Sequence, residues 1–310
     1  MRLLFAGTPD IAVPTLRAVA DAFPVVGVLT APDRVAGRGR KVTPPPVKTA
    51  AEELGLTVLQ PHKLDEDARG AVRSLAPDML VVFAYGKIFG PKFMGLFPEG
   101  GVNVHPSLLP KYRGPAPIPA AIVAGEAETG ITVQYISEKM DAGAIVARER
   151  ITLGGTETAA SLSDDVAGRA GPLLVSTLHR IEAGTAAPEP QDETEATYCS
   201  LIKKSDAQID WGQSAGHIER MVRAYHPRPG AYTFWGATKL TIREAAVSGA
   251  RGEGQQPGRV LGVDRERGIL IQTGDGVLVV RRLQLQAGQE SDWKSFINGH
   301  RDFDRAVLGG

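Results

Sequence analysis

The sequence predicts an α/β fold in two parts, a doubly wound sheet followed by a small β-barrel, and three observations lead there. Residues 1–150 alternate short apolar runs with helix-spaced stretches, the order expected of βαβ units. Gly184 to Thr197 is rich in Gly, Pro, Glu and Thr and reads as a linker crossing a surface. Beyond it the pattern changes to five short β-type segments, which suggests a barrel of the oligonucleotide-binding (OB) type. A length of 310 residues agrees with two domains at roughly 150 residues each. The expected division is 1–190, a linker at 191–205, and a second domain at 206–310.

Arg2–Ala6 is the first strand and ends at Gly7-Thr8-Pro9-Asp10. Val13, Leu16, Ala20 and Phe23 then follow at helical spacing, with Pro14 in the first turn, where its missing N–H costs little. Val25–Thr30 is the next strand, and Met79–Ala84 is continuously apolar, as a central parallel strand covered on both faces should be. Val102–His105, Gly130–Ile136 and Ala144–Ile151 complete the set. Residues 155–158 open a helix reaching about Ile181, with Thr156 as its expected cap. After the linker, Asp210–Ala224 has helical spacing through Trp211, Ile218, Met221 and Val222. The five β segments are Ala231–Trp235, Lys239–Ala245, Gly258–Asp264, Gly268–Thr273 and Gly276–Leu285, and Gly274-Asp275-Gly276 signals a hairpin.

Formal charge is zero, from 35 basic and 35 acidic residues, so any polyanionic partner must be met by a local patch. Residues 205–310 carry 14 Lys and Arg against 12 Asp and Glu, which adds little. One cysteine, Cys199, excludes a disulfide framework or a thiolate zinc site. His62, His179, His217, His226 and His300 lack metal-ligand spacing, so no metal is expected. Apolar runs are too short for a membrane span, and the N-terminus breaks too early for a signal peptide. A cytoplasmic protein without membrane contact is expected. No stretch marks an interface, so a monomer is expected as well.

Residues 101–114 are the richest chemically. Asn103 and His105 lie two apart in a strand and leave it on the same face, at the carboxyl end where open α/β sheets hold ligands. Pro106 makes His105 the last strand residue. An amide donor beside an imidazole can stabilise an oxyanion and shuttle a proton, the two needs of acyl transfer to an amine. Asp141, in a Met-Asp-Ala-Gly turn, is the candidate carboxylate to orient the imidazole or receive a proton. Alternatively it is a turn aspartate bonding its own backbone. Arg34 to Lys48 carries five positive charges and no negative one, loosened by glycines and stiffened by three prolines, as suits phosphate contacts. Gly7-Thr8-Pro9-Asp10 lacks the glycine spacing of a dinucleotide loop and the Gly-Lys of a P-loop, and Ser107 lacks a nucleophile elbow.

Phe5-Ala-Gly-Thr-Pro-Asp10, Gly37-Arg-Gly-Arg-Lys41, Asn103 through Gly114, and Met140-Asp-Ala-Gly143 resemble the methionyl-tRNA formyltransferases. So do residues 191–194, 209–211 and 226–232, and the resemblance therefore covers essentially the whole chain. It implies a Rossmann-like sheet of the formyltransferase type, and transfer of the formyl group of 10-formyltetrahydrofolate, as co-substrate, to methionyl initiator tRNA. It implies Asn103, His105 and Asp141 as the catalytic trio, leaving open which one is the base. It implies folate contacts at Tyr85, Gly86 and the turn Ser107, Leu108, Leu109 and Pro110, largely through backbone groups. The basic loop, with Arg34, Arg38, Arg40 and Lys41, is implied to meet the acceptor stem and to order when RNA arrives. The carboxyl domain is implied to hold the tRNA backbone. Gly114-Pro-Ala-Pro-Ile-Pro119 departs from a common family pattern by two prolines, which stiffen that segment. A folate-dependent formyltransferase acting on a sugar nucleotide or another small amine would share the trio but have little use for the basic loop. A non-catalytic RNA-binding protein would have no use for the trio.

Overall fold

The computed structural model describes residues 1–36, 41–249 and 254–309. Its contacts divide the chain into two compact units, each discontinuous in sequence. Met1–Pro117, Glu128–Thr152 and Ser163–Ser200 form one, and Ile118–Ala127, Leu153–Leu162 and Leu201–Gly310 the other.

The first unit contains β1 (Leu3–Gly7), α1 (Val13–Ala22), β2 (Val25–Leu29), β3 (Arg34–Ala36), β4 (Lys41–Thr43), α2 (Pro46–Glu53) and β5 (Val58–Leu59). It continues with α3 (Glu66–Ser74), β6 (Met79–Phe83), α4 (Pro91–Met94), β7 (Gly101–His105), β8 (Glu128–Tyr135) and β9 (Ile145–Thr152). Helices α5 (Pro117–Ala124) and α6 (Ala159–Glu182) divide their residues between the two units. The sheet order is β5-β2-β1-β6-β7-β8-β9. The first five strands pair in parallel and the last two antiparallel. The chain therefore winds outward both ways from β1, and the adjacent carboxyl ends of β1, β6 and β7 form the crevice where such sheets take ligands.

Strands β1 and β6 are buried at every position, the reason their sequences are unbroken apolar runs. Leu4, Ala6, Leu80 and Val82 meet Val72, Tyr85, Phe93 and Phe97 in one cluster. Helix α1 begins with Pro14 in its first turn, as expected. The described part of the basic stretch is not one loop: β3 and β4 pair antiparallel, and α2 begins at Pro46, whose ring presets a helical φ. Lys48 is paired with Asp33 at 2.8 Å. Arg38 and Arg40 lie outside the described residues.

Two expected boundaries are corrected. Thr158, not Thr156, caps α6: its Oγ1 accepts from the Ser161 N–H at 3.1 Å, and its own N–H donates to Ser161 Oγ at 3.0 Å. The Thr156 N–H is instead drawn to the Glu157 carboxylate, which also accepts from Gly154 and Gly155. Helix α7 (Ala215–Ala224) starts five residues later than Asp210, because Ser214 caps it by accepting from the His217 N–H.

In the second unit, β10 (Tyr232–Trp235), β11 (Thr238–Val247), β12 (Val260–Asp264), β13 (Gly268–Gln272), β14 (Val277–Leu285) and β15 (Ser291–Asp292) form one antiparallel sheet. Its order is β10-β11-β14-β13-β12, with β15 beside β14. Register shifts in β11 and β12 add local twist, curling the sheet around α7 and α8 (Trp293–Gly299) into a half-barrel. Trp211, Ile218, Met221, Leu240, Ile269, Leu278 and Phe303 are buried in its core. The Gly274–Gly276 turn joins β13 to β14 as expected, with Thr273 Oγ1 donating to the Gly276 carbonyl at 2.8 Å. No helix among the described residues is long and apolar enough to cross a membrane.

Candidate active site

Strand β7 ends in the crevice, and its antiparallel pairing with β8 sets Asn103 opposite Gln134 and His105 opposite Thr132. Directly opposed residues share a face, so four polar side chains emerge together from one face of the two strands. Asp141 reaches them from the turn between β8 and β9. Its Oδ1 accepts from Gln134 Nε2 at 3.1 Å and from Asn103 Nδ2 at a long 3.4 Å. Its Oδ2 accepts from the Gly114 N–H at 2.8 Å and lies 3.7 Å from His105 Nδ1. The aspartate therefore bonds side chains and a backbone amide far off in sequence, rather than its own turn.

Local geometry makes this possible at some conformational cost. Asp141 has φ of 52°, a left-handed value that persists in a non-glycine residue only when its surroundings determine it. Gly143 follows so closely under the backbone of Tyr135 that an added Cβ would stand 1.7 Å from that residue's carbonyl oxygen. On the other side Gly114, with φ of 114°, passes so near the Cys199 carbonyl that a Cβ would stand 2.2 Å from it. Only glycine lets this backbone come close enough to present its N–H to Asp141.

His105 is 4% exposed, and its Nε2 lies 2.8 Å from the Tyr112 carbonyl. A carbonyl only accepts, so Nε2 carries the proton and Nδ1 turns a lone pair towards Asp141. Burial pushes the imidazole pKa below 6.5, opposed by the Asp141 carboxylate and the Tyr112 carbonyl. The resting pair is thus a neutral imidazole beside a carboxylate, poised to become an ion pair when Nδ1 takes a proton. Among the described residues no group of three or more His, Cys, Asp or Glu side chains could hold a metal ion.

The turn after Pro106 is strongly self-bonded. Thr132 Oγ1 donates to the Ser107 carbonyl at 2.7 Å and accepts from the Leu109 N–H at 3.2 Å, and Ser107 Oγ donates to the Lys111 carbonyl at 2.6 Å. Ser107, Leu109 and Pro110 are buried, and Leu108 is half-buried. Beside it, Ala84 and Gly86 are exposed past the end of β6, both with positive φ. The Tyr85 side chain turns inward among the core aromatics, its phenol pushed up to about 12 by burial. Arg34 begins β3, and Lys41 begins β4, its antiparallel partner.

Several participants had no role assigned from the sequence: Gln134, the Gly114 N–H, the Tyr112 carbonyl, and the pair Arg113 and Gln191. Gln134 carried a partial signal, a polar residue at the same alternation as Thr132 between the apolar Val133 and the strand end. The others are defined only by contacts across the fold.

The sequence model of the family described as "Formyl transferase" matches residues 1–178, and that of "Formyl transferase, C-terminal domain" matches residues 201–301. A curated relative from Treponema denticola, named methionyl-tRNA formyltransferase, is 46% identical over 315 aligned positions, covering 98% of each chain. Among solved structures, WlaRD, a sugar 3N-formyl transferase, superposes with a TM-score of 0.66 at 16% identity, over 90% of this chain and 97% of that one. HypX from Aquifex aeolicus, solved with tetrahydrofolic acid, gives 0.63 at 18% identity over 96% of this chain, which spans only 47% of that longer one. These two distant structures share the fold. With both halves matched and near-complete alignment at 46% identity, the chain belongs to the methionyl-tRNA formyltransferase family.

Proposed function

We propose that Asn103, His105 and Asp141 carry the reaction of this family, transfer of the formyl group of 10-formyltetrahydrofolate to the α-amino group of methionyl initiator tRNA. The amine attacks the formyl carbon, and the carbonyl electron pair moves to oxygen. Asn103 donates one N–H to that oxygen, its other being turned to Asp141. Nδ1 of His105 takes a proton from the amine and becomes an imidazolium that Asp141 stabilises. That proton passes to N10 as the bond from N10 to the formyl carbon breaks, releasing tetrahydrofolate and leaving the amide. Neither a metal nor a covalent enzyme intermediate enters this sequence.

The observation that supports these roles is the convergence of three donors on Asp141, beside an imidazole whose free lone pair faces the same carboxylate. Folate would lie along Tyr85, Gly86 and the Ser107–Pro110 turn. Because Ser107 Oγ and the Leu109 N–H already have partners, it would be read by the remaining backbone groups and by apolar contact. The tRNA would be met through phosphate contacts by the stretch carrying Arg34, Arg38, Arg40 and Lys41. The protein acts as a monomer in the cytoplasm.

Mass spectrometry of tRNA after incubation with 10-formyltetrahydrofolate tests reaction and substrate together. A formylated methionyl ester is expected on initiator tRNA. Preference for a small amine over charged tRNA would overturn the substrate, and tRNA binding without release of tetrahydrofolate would overturn the reaction.

A further inference from the structure

We propose that Gln191 is a positioning residue for Asp141, its amide oriented by the buried Arg113 and its NH2 group holding the aspartate turn in place. This rests on the catalytic role given to Asp141 above.

Arg113 is 1% exposed and is the largest fully buried side chain among the described residues. Its Nε and Nη2 donate to Gln191 Oε1 at 3.1 and 2.8 Å. Its remaining donors go to the two Glu193 oxygens at 2.7 and 3.1 Å and to the Tyr198 hydroxyl at 3.2 Å. A guanidinium has donors only, so the oxygen of Gln191 must face it and the NH2 group must face the other way. There it meets acceptors alone: the carbonyls of Asp141 and Gly143, both at 2.8 Å, and Gln134 Oε1 at 3.1 Å.

The same logic fixes the next amide. Gln134 Oε1 accepts from Gln191 and from the Gly143 N–H at 3.1 Å, which leaves Gln134 Nε2 to donate to Asp141 Oδ1. Orientation thus passes from Arg113 through Gln191 and Gln134 to the carboxylate, each amide having one permitted direction. Backbone bonds add to it, since Arg113 N–H donates to the Thr197 carbonyl and the Cys199 N–H to the Arg113 carbonyl, both at 2.8 Å. Asp141 needs such support, being a non-glycine residue held at φ of 52°.

Gln191→Glu separates the two ends of this residue. It keeps the shape and the bond to Arg113 but sets an oxygen against three acceptors. Gln191→Met loses both ends, and Asp192→Ala loosens the same segment by removing the acceptor of the Thr194 N–H without touching the relay. In formyl-transfer assays on the full chain, both Gln191 variants should lose about 10- to 100-fold in kcat, with KM for folate and tRNA within about twofold. Both should melt somewhat below wild type, because they leave buried polar groups unpaired, yet remain fully folded at the assay temperature, and the kcat of Asp192→Ala should stay near wild type. Wild-type kcat in Gln191→Glu would overturn the proposal by assigning the role to the Arg113 anchor. So would an equal kcat loss in Asp192→Ala, or losses explained by a reduced folded fraction. Inactivity of the wild type itself would instead refute the functional reading on which the proposal rests.

Discussion

Replacing Asp141 with Asn removes one charge and almost no volume, and the structure lets the consequence be sized. If His105 Nδ1 accepts the amine proton, the imidazolium forms 3.7 Å from Asp141 Oδ2. At that separation and an effective dielectric of about 20, the attraction is worth about 4 kcal/mol. Since about 1.4 kcal/mol is tenfold in rate, Asp141→Asn should lower the rate of the chemical step by about a thousandfold. A smaller loss of stability should accompany it. Gly114, Gln134 and Asn103 all point donors at residue 141, so the new NH2 group faces a donor whichever way the amide turns. One unsatisfied donor costs about 1–3 kcal/mol, which lowers the melting midpoint but leaves the chain folded. Single-turnover formylation of charged tRNA at saturating folate isolates the chemical step. A loss below about tenfold there, or a loss residing wholly in KM, would refute the charge-stabilising role.

Further outcomes are expected. The His105 imidazole should titrate below 6.5 in an NMR pH series, with the proton on Nε2 in the neutral form. Because its folded pKa is lowered, it stabilises the protein above pH 6.5, and that contribution should fade as pH falls towards the folded value. His105→Gln should flatten this acid-side loss in denaturant titrations. Gly143→Ala should abolish transfer and cost more than about 3 kcal/mol of stability, since its Cβ would overlap the Tyr135 carbonyl; a normal melting curve would contradict it. Neutralising Arg38, Arg40 and Lys41 together should weaken use of tRNA and shallow its salt dependence by about 0.7–0.9 in log–log slope per lost phosphate contact, with folate affinity unchanged. An unaltered slope in a filter-binding series would remove the segment from tRNA recognition.

Much of the frame was legible because it rests on local pattern. Strands β1 and β6 announce themselves as unbroken apolar runs since both faces are covered, and Asn103 with His105 could be set on one face because strand side chains alternate. What fixes Asp141 was not legible. Its partners Gly114 and Asn103 lie 27 and 38 residues away, so without the family resemblance it reads as an ordinary turn residue. Gln191 was hidden further, in a stretch whose composition says linker while its side chain is bonded to Arg113 across 78 residues. The cap of α6 was misplaced because Thr156 and Thr158 offer the same hydroxyl, and Glu157 between them decides which backbone amides are free.

The facing pair β7 and β8 has a consequence for sequence change at this site. Asn103 and Gln134 meet because each sits at a position of matching parity in its strand. One residue inserted between Asn103 and His105, or between Thr132 and Gln134, would send a single member of the quartet to the opposite side of the sheet, whereas two would restore the original side at a shifted depth. Length changes should therefore be accommodated in the connecting loops or in steps of two, and odd-numbered insertions within these strands should be lethal to catalysis even where the fold survives.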